Sequence, residues 1–197
     1  MSWFFDLLSA AVYAVFIQNL LFSGGFGSTE AIRTALTPRR LILFAGFISY
    51  FSILTSAACR LLDDIPAVGA LGWAAHTAVF TGVLTAVYLL TACALRFGLK
   101  ASRRFLTTAG IAALNSLVLA LPLMNRGAAG SLADSVGTGL GSGLAFILAV
   151  ALINAGLKTL AKNKHVPRAF RGTPVMFVYV ALLALALSGF SGGRFFS

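Results

Sequence analysis

The sequence predicts an all-α, polytopic membrane protein. Its six transmembrane helices form two inverted three-helix repeats, with the first and fourth helices broken. Three observations carry this expectation. The 197 residues are 59% hydrophobic and only 10% charged, with a mean hydropathy of +0.93, whereas soluble domains carry about 25% charged residues. Apolar stretches recur at lengths near the about 20 residues that a helix needs to cross the hydrocarbon core. Lys and Arg gather in alternate loops: Arg33, Arg39 and Arg40; then Arg96, Lys100, Arg103 and Arg104; then Lys158, Lys162, Lys164, Arg168 and Arg171. The intervening loops hold Asp63, Asp64, Asp134 and the single Arg126. Membrane insertion retains Lys and Arg on the cytoplasmic side, so the net charge of +10 is first an orientation signal. The apolar runs lack the period-2 alternation of a β-barrel. The basic residues sit at segment ends and not along one face, which argues against nucleic acid as a partner.

The segments follow in order. The first, 3–22, has no basic region ahead of it and carries Asp6, so it reads as a mature span and not a cleaved signal. It contains Gln18-Asn19 and runs into Ser23-Gly24-Gly25-Phe26-Gly27-Ser28, a glycine-rich stretch able to leave the helix at membrane depth. The second, 41–59, ends at Arg60, whose long side chain can snorkel to headgroups. The third, 68–95, carries His76 within Trp73-Ala-Ala-His76-Thr77. The fourth, 105–124, holds Asn115-Ser116 in its middle and Pro122 near its end. The fifth, 132–157, has Gly130 ahead of it and contains Gly137, Gly139, Gly141 and Gly143. Small residues at that spacing allow helices to approach closely, either within the chain or along a seam with a partner subunit. The sixth is 174–190. The whole chain, 1–197, reads as one transmembrane domain. An even number of spans puts both termini on one face, and the first, third and fifth loops are basic. The expectation is a bacterial inner membrane protein with both termini outside.

Candidate functional residues come from the broken helices. Gln18-Asn19 and Asn115-Ser116 occupy similar places in the first and fourth segments. If 1–95 and 105–190 are two halves, the odd number of spans in each inverts the second half. Inverted repeats commonly hold a site near the midplane, built from interrupted helices. The candidates are Gln18, Asn19, Ser28, Thr29, Asn115 and Ser116, with His76 as a further polar group within a span. Alternatively, each amide serves only to satisfy neighbouring backbone groups. The five acidic residues, Asp6, Glu30, Asp63, Asp64 and Asp134, all lie away from span centres, which argues against an ion carrier built on an internal carboxylate. Cys59 and Cys93 lack metal-ligand spacing and read as small hydrophobes. Without a phosphate loop, nucleophile triad or His/Cys cluster, the chain is at most a non-catalytic subunit of an enzyme. The basic stretch 158–171 suits anionic lipid headgroups or an acidic electron carrier.

One motif is more specific. Val166-Pro167-Arg168-Ala169-Phe170-Arg171-Gly172, followed by an apolar span ending Ser188-Gly189-Phe190-Ser191-Gly192, resembles the carboxy-terminal signature of the Rnf/Nqr membrane subunits, nearest the RnfA/NqrE type. Asp6, Gln18-Asn19, Asp63, Thr91, Arg96 and Asn115 also fit that family's pattern. The resemblance implies a six-span inverted-repeat fold in an ion-translocating electron-transport complex. It implies that the partner is a homologous membrane subunit, in a hetero- or homodimer, with redox subunits beside it. It also implies cysteines that share a [2Fe–2S] cluster between two subunits. Those cysteine positions are here Thr29 and Ser116, and Ala92 stands where the family carries an acidic residue. A hydroxyl is a poor iron–sulfur ligand beside a thiolate, so the expectation is a subunit without its own cluster and with no bound metal. The alternative is a cluster-free paralogue that transports a small molecule or an ion, as a homodimer.

Overall fold

The computed structural model describes residues 2–128, 130–163 and 166–189. Lys164, His165, Phe190, Ser191 and Gly192 lie outside the described residues. The elements are α1 Ser2–Phe16, α2 Leu20–Gly24, α3 Ser28–Leu36, α4 Leu41–Asp63, α5 Pro66–Gly69, α6 Trp73–Cys93, α7 Arg103–Ala113, α8 Ser116–Gly127, α9 Leu132–Lys162 and α10 Thr173–Ser188. Short 3₁₀ turns precede α4 and α10, and a π turn extends α6 to Gly98. No strand occurs among the described residues, so the all-α expectation holds.

Four helical stretches are long and apolar enough to cross a membrane: Pro38–Asp63, Trp73–Gly98, Arg103–Gly127 and Leu132–Lys162. They correspond to the second to fifth predicted segments. The first and sixth appear as the shorter apolar helices Trp3–Phe16 and Pro174–Ser188. At 16 residues α10 is about 24 Å long, short of the about 30 Å hydrocarbon core. The boundaries shift for local reasons. Pro66 starts a separate turn and Gly72 is extended, so the third helix begins at Trp73 and not at 68. Ser131 opens α9 through a capping box with Asp134: its Oγ accepts the Asp134 N–H at 3.1 Å, and the Asp134 carboxylate accepts the Ser131 N–H at 2.8 Å.

At 31 residues α9 is the longest helix and the centre of the bundle. Its glycines alternate between two neighbours. A Cβ on Gly137 would clash with the Leu7 carbonyl, and one on Gly141 would lie 2.6 Å from the Ala11 carbonyl oxygen, both on α1. A Cβ on Gly139 would lie 2.8 Å from Ile53 Cα, and one on Gly143 would lie 2.7 Å from the Ala45 carbonyl oxygen, both on α4. The registers make α1 parallel and α4 antiparallel to α9. The close approach that the glycine spacing predicts is therefore made within the chain. Phe44, Ile48, Phe51, Phe146, Val150 and Ile153 fill the remaining space between α4 and α9 and are all buried. Beside both α4 and α9 runs the α7–α8 rod, parallel to α4. Phe47 packs edge-on against Phe105 at 5.0 Å near one end, and Ser56 accepts from Asn125 at 2.7 Å near the other. Near its C-terminal end α9 is held by two further bonds. Asn154 Nδ2 donates to the Ala35 carbonyl, and the Tyr179 hydroxyl to that of Leu152.

Gly141→Val tests the spine. The added methyls meet α1 backbone, which cannot rotate away, so the purified variant should lose about 1–3 kcal/mol or more of stability, read as a lowered unfolding midpoint. Gly46→Val, where a Cβ meets nothing within 4 Å, should change it far less.

Candidate functional site

The two helix breaks are built the same way. After Phe16 the N–H groups of Ile17 and Gln18 both bond the Tyr13 carbonyl, which ends α1. Asn19 then bridges the gap with one amide. Its Nδ2 donates to the Val15 carbonyl at 3.2 Å, and its Oδ1 accepts the Leu21 N–H at 3.2 Å. One end of α1 and the start of α2 are thus satisfied by a single side chain. In the fourth segment Asn115 closes α7 through its own N–H, which bonds the Ala112 carbonyl, and Asn115 Oδ1 accepts the Leu117 N–H at 3.0 Å. Asn19 and Asn115 are both 5% exposed. The amides therefore do the backbone work of the second alternative above. Asn115 Nδ2, however, has no hydrogen-bond partner among the described residues, although it is buried.

The two breaks touch. The Gly27 N–H donates to Ser116 Oγ at 3.0 Å. Gly27 has φ +74°, and a Cβ there would lie 2.8 Å from Asn115 Oδ1; both the backbone conformation and the space demand glycine. Gln18 faces Leu117, Leu121, Thr138 and Ser142 across an enclosed void of about 10 Å³, room for one water at most. The crossing is closed within one chain. Of the remaining candidates, Ser28 is half-buried, while Thr29 and Ser116 are exposed. Neither cysteine stands at a break: Cys59 is buried in α4, and Cys93 is exposed at the end of α6. Among the described residues no group of three His, Cys, Asp or Glu side chains is placed to hold a metal.

His76 stands apart from the breaks. It lies in the first turn of α6 and is fully buried, at the end of the bundle where α4 and α8 finish and α9 begins. Its Nε2 is 3.0 Å from Asp63 Oδ1, which also accepts from an Arg126 guanidinium nitrogen at 2.7 Å. The Arg126 guanidinium reaches the Gly69 carbonyl as well, at 3.1 Å. Arg60 does not snorkel freely: its Nε donates to the Gly130 carbonyl at 2.8 Å, and it pairs with Asp64. Asp63 and Arg126 were not among the candidates read from the sequence. The available signal was Arg126, the lone cation in a loop set that otherwise holds Asp63, Asp64 and Asp134.

At the opposite, basic end the family motif folds on itself. Arg171 Nε donates to the Val166 carbonyl at 3.0 Å, the Phe170 N–H bonds the Pro167 carbonyl, and Gly172 has φ +88°. Val166, Arg171 and Gly172 line a cavity of about 420 Å³ with Leu36, Lys162 and Met176. Gly189 follows the last residue of α10.

Three substitutions separate capping from packing. Asn19→Ala and Asn115→Ala should each cost about 1 kcal/mol or more through the lost cap. Gly27→Ala should cost more than Ser116→Ala, because only the first adds backbone strain and a clash. Unfolding midpoints of the purified variants give the order.

No family model matches the chain. Individual relatives do. The chain is 45% identical over 78 residues to the A component of the ion-translocating oxidoreductase complex of Rhodobacter capsulatus. It is 39% identical over 80 residues to the A component of the proton-translocating ferredoxin:NAD(+) oxidoreductase complex of Clostridium ljungdahlii. These matches span about 40% of this chain and of those relatives. The E component of the Na(+)-translocating NADH-quinone reductase of Stutzerimonas stutzeri matches at 27% identity over 201 residues, covering 94% of this chain and 96% of that relative. The family resemblance read from the sequence is thus matched by relatives from both kinds of complex.

Proposed function

We propose that this chain, a relative of the Rnf/Nqr membrane subunits, is an integral membrane subunit of an ion-translocating electron-transport complex and holds no [2Fe–2S] cluster of its own. The observation that carries this is the near full-length similarity to one such subunit, joined to stronger local similarity to two others. The family's six-span, inverted-repeat arrangement of 1–95 and 105–190 is supported by the paired breaks at Asn19 and Asn115. Each break caps a new helix with an asparagine Oδ1. Both termini outside and the basic loops inside, in a bacterial inner membrane, follow from the charge bias. The midplane site is then the meeting of Gln18, Asn19, Ser28, Thr29, Asn115 and Ser116, with a homologous partner apposed to its exposed hydroxyls. His76 lies outside it.

The residues present do not fit an iron–sulfur cluster. Such clusters are held by thiolates, whereas the positions in question carry Thr29 and Ser116, and Ser116 Oγ already accepts the Gly27 N–H. No electron-transfer step is therefore assigned to this chain. Its partners are the homologous membrane subunit, redox subunits of the complex, and lipids. Lys158, Lys162 and Arg171 offer anionic headgroups or an acidic electron carrier a positive face worth about 1 kcal/mol per charge.

Affinity purification of the tagged chain from its native membrane tests the proposal. Co-purification of flavin- or iron-containing subunits together with a homologous membrane protein is expected, with no iron in the chain isolated alone. Purification without any redox subunit would sink the complex, and a paramagnetic cluster signal from the isolated chain would sink the cluster-free assignment. For topology, a cysteine placed at Lys162 should react with an impermeant reagent only from the cytoplasmic side, and one at Asp64 only from outside.

A second reading, a homodimeric transporter of a small molecule or an ion, draws on the orphaned Asn115 Nδ2, a buried donor available to a solute. Because the crossing is closed in one chain, the solute would need a second copy or an opened state. Substrate-dependent thermal stabilisation of the isolated chain, lost in Asn115→Ala, supports it; its absence across candidate ions and solutes counts against it.

A further inference from the structure

The cluster of Asp63, Arg126 and the buried His76 has no role in the function proposed above, and its hydrogen bonds do not balance around a neutral imidazole. His76 Nδ1 lies 3.2 Å from the Gly72 carbonyl oxygen, and Nε2 lies 3.0 Å from Asp63 Oδ1. A carbonyl oxygen can only accept. Asp63 Oδ1 already accepts from Arg126 at 2.7 Å, as an ionised carboxylate does. A neutral imidazole has one N–H and one lone pair. Either tautomer would turn a lone pair toward an oxygen in a site where His76 is 0% exposed, and a buried mismatch of that kind is disfavoured. The doubly protonated ring satisfies both contacts.

We propose that His76 and Asp63 form a proton-binding site at the acidic end of the bundle. The imidazolium carries the proton, Asp63 accepts from it, and Arg126 fixes the carboxylate in place. The charged and titratable groups around it are Asp63, Arg60 and Cys59 of α4, Asp64 just after α4, Arg126 of α8 and, beyond Gly130, Asp134 at the start of α9. Within the first turns of α6, His76 is the one titratable group, with Phe80 edge-on to it at 5.6 Å. Arg126 and the positive end of the α6 dipole oppose a cation here, and the Asp63 carboxylate offsets them.

Access to the site is one-sided. The imidazole is sealed, but Asp63 and Arg126 line a cavity of about 480 Å³ with Arg60, Trp73, Asn125 and Gly130. Release therefore runs through the carboxylate: the Nε2–H bond breaks, an O–H bond forms on Asp63, and that proton passes to water in the cavity, leaving a neutral imidazole and an ionised Asp63. While protonated, His76 ties the first turn of α6 to the last turn of α4 and, through Arg126, to α8. The proposal stands whether or not the chain works in a redox complex.

The chain has two histidines, so His165→Gln leaves His76 as its one imidazole. Nitrogen-15 NMR of that full-length protein in lipid nanodiscs, labelled at histidine, reads the ring directly. Both ring nitrogens should carry protons in the folded protein, as the two oxygen contacts require. Asp63→Asn in the same background should weaken proton binding roughly tenfold or more, while Arg126→Gln should strengthen it. A single neutral tautomer at neutral pH overturns the proposal, as does a protonation curve that neither substitution moves. If Asp63→Asn does not fold, the His165→Gln spectrum alone decides.

Discussion

The close approach of α1 and α4 to α9 is the constraint on which the rest of this bundle depends. In a membrane there is little hydrophobic drive for one apolar helix to seek another, so association rests on packing and on hydrogen bonds between helices. Gly137 and Gly141 admit the α1 backbone, and Gly139 and Gly143 admit that of α4. With both helices drawn in, the breaks at Asn19 and Asn115 fall beside one another. The same glycines free α9 from side-chain bulk on two faces, and Phe146, Val150 and Ile153 continue the α4-facing side beyond Gly143.

A broken helix in a low-dielectric setting exposes backbone donors and acceptors that must be satisfied within the protein. Asn19 does so with both ends of one amide, across the gap between α1 and α2. Asn115 does so with its oxygen only and leaves its nitrogen orphaned. The asymmetry is informative. The first amide is fully spent on the fold, whereas the second has a donor to spare beside Gly27 and Ser116, where the resemblance places the family's second cysteine. In this chain the hydroxyl at that place accepts the Gly27 N–H.

The two ends of the bundle are chemically distinct. One sets Lys162 and Arg171 on a mostly apolar cavity, as an interface with anionic lipid or protein would. The other gathers few charges, but these are paired: Arg60 with Asp64, and Arg126 with Asp63, which His76 also contacts. Charges at a membrane boundary are costly unless matched. The matching explains how the ends of α4 and α8 and the start of α6 can meet on acidic and basic groups without opening the bundle.

Much of this was legible in the sequence. The all-α class, the four long apolar helices, the glycine approach and the two asparagine breaks are local properties: apolar run length, small-residue spacing and the capping chemistry of an amide are written in consecutive residues. The helix ends were less legible, because Pro66 and Gly72 delay α6 and Ser131 starts α9 through a cap that hydropathy does not register. What only the tertiary structure decided was who meets whom. That the glycine face belongs to α1 and α4, that Gly27 meets Ser116, and that His76 joins Asp63 and Arg126 instead of the broken helices are contacts between residues 13 to 130 positions apart. Such contacts depend on helix register and rotation, which a pattern of apolar residues leaves free and which close backbone packing fixes.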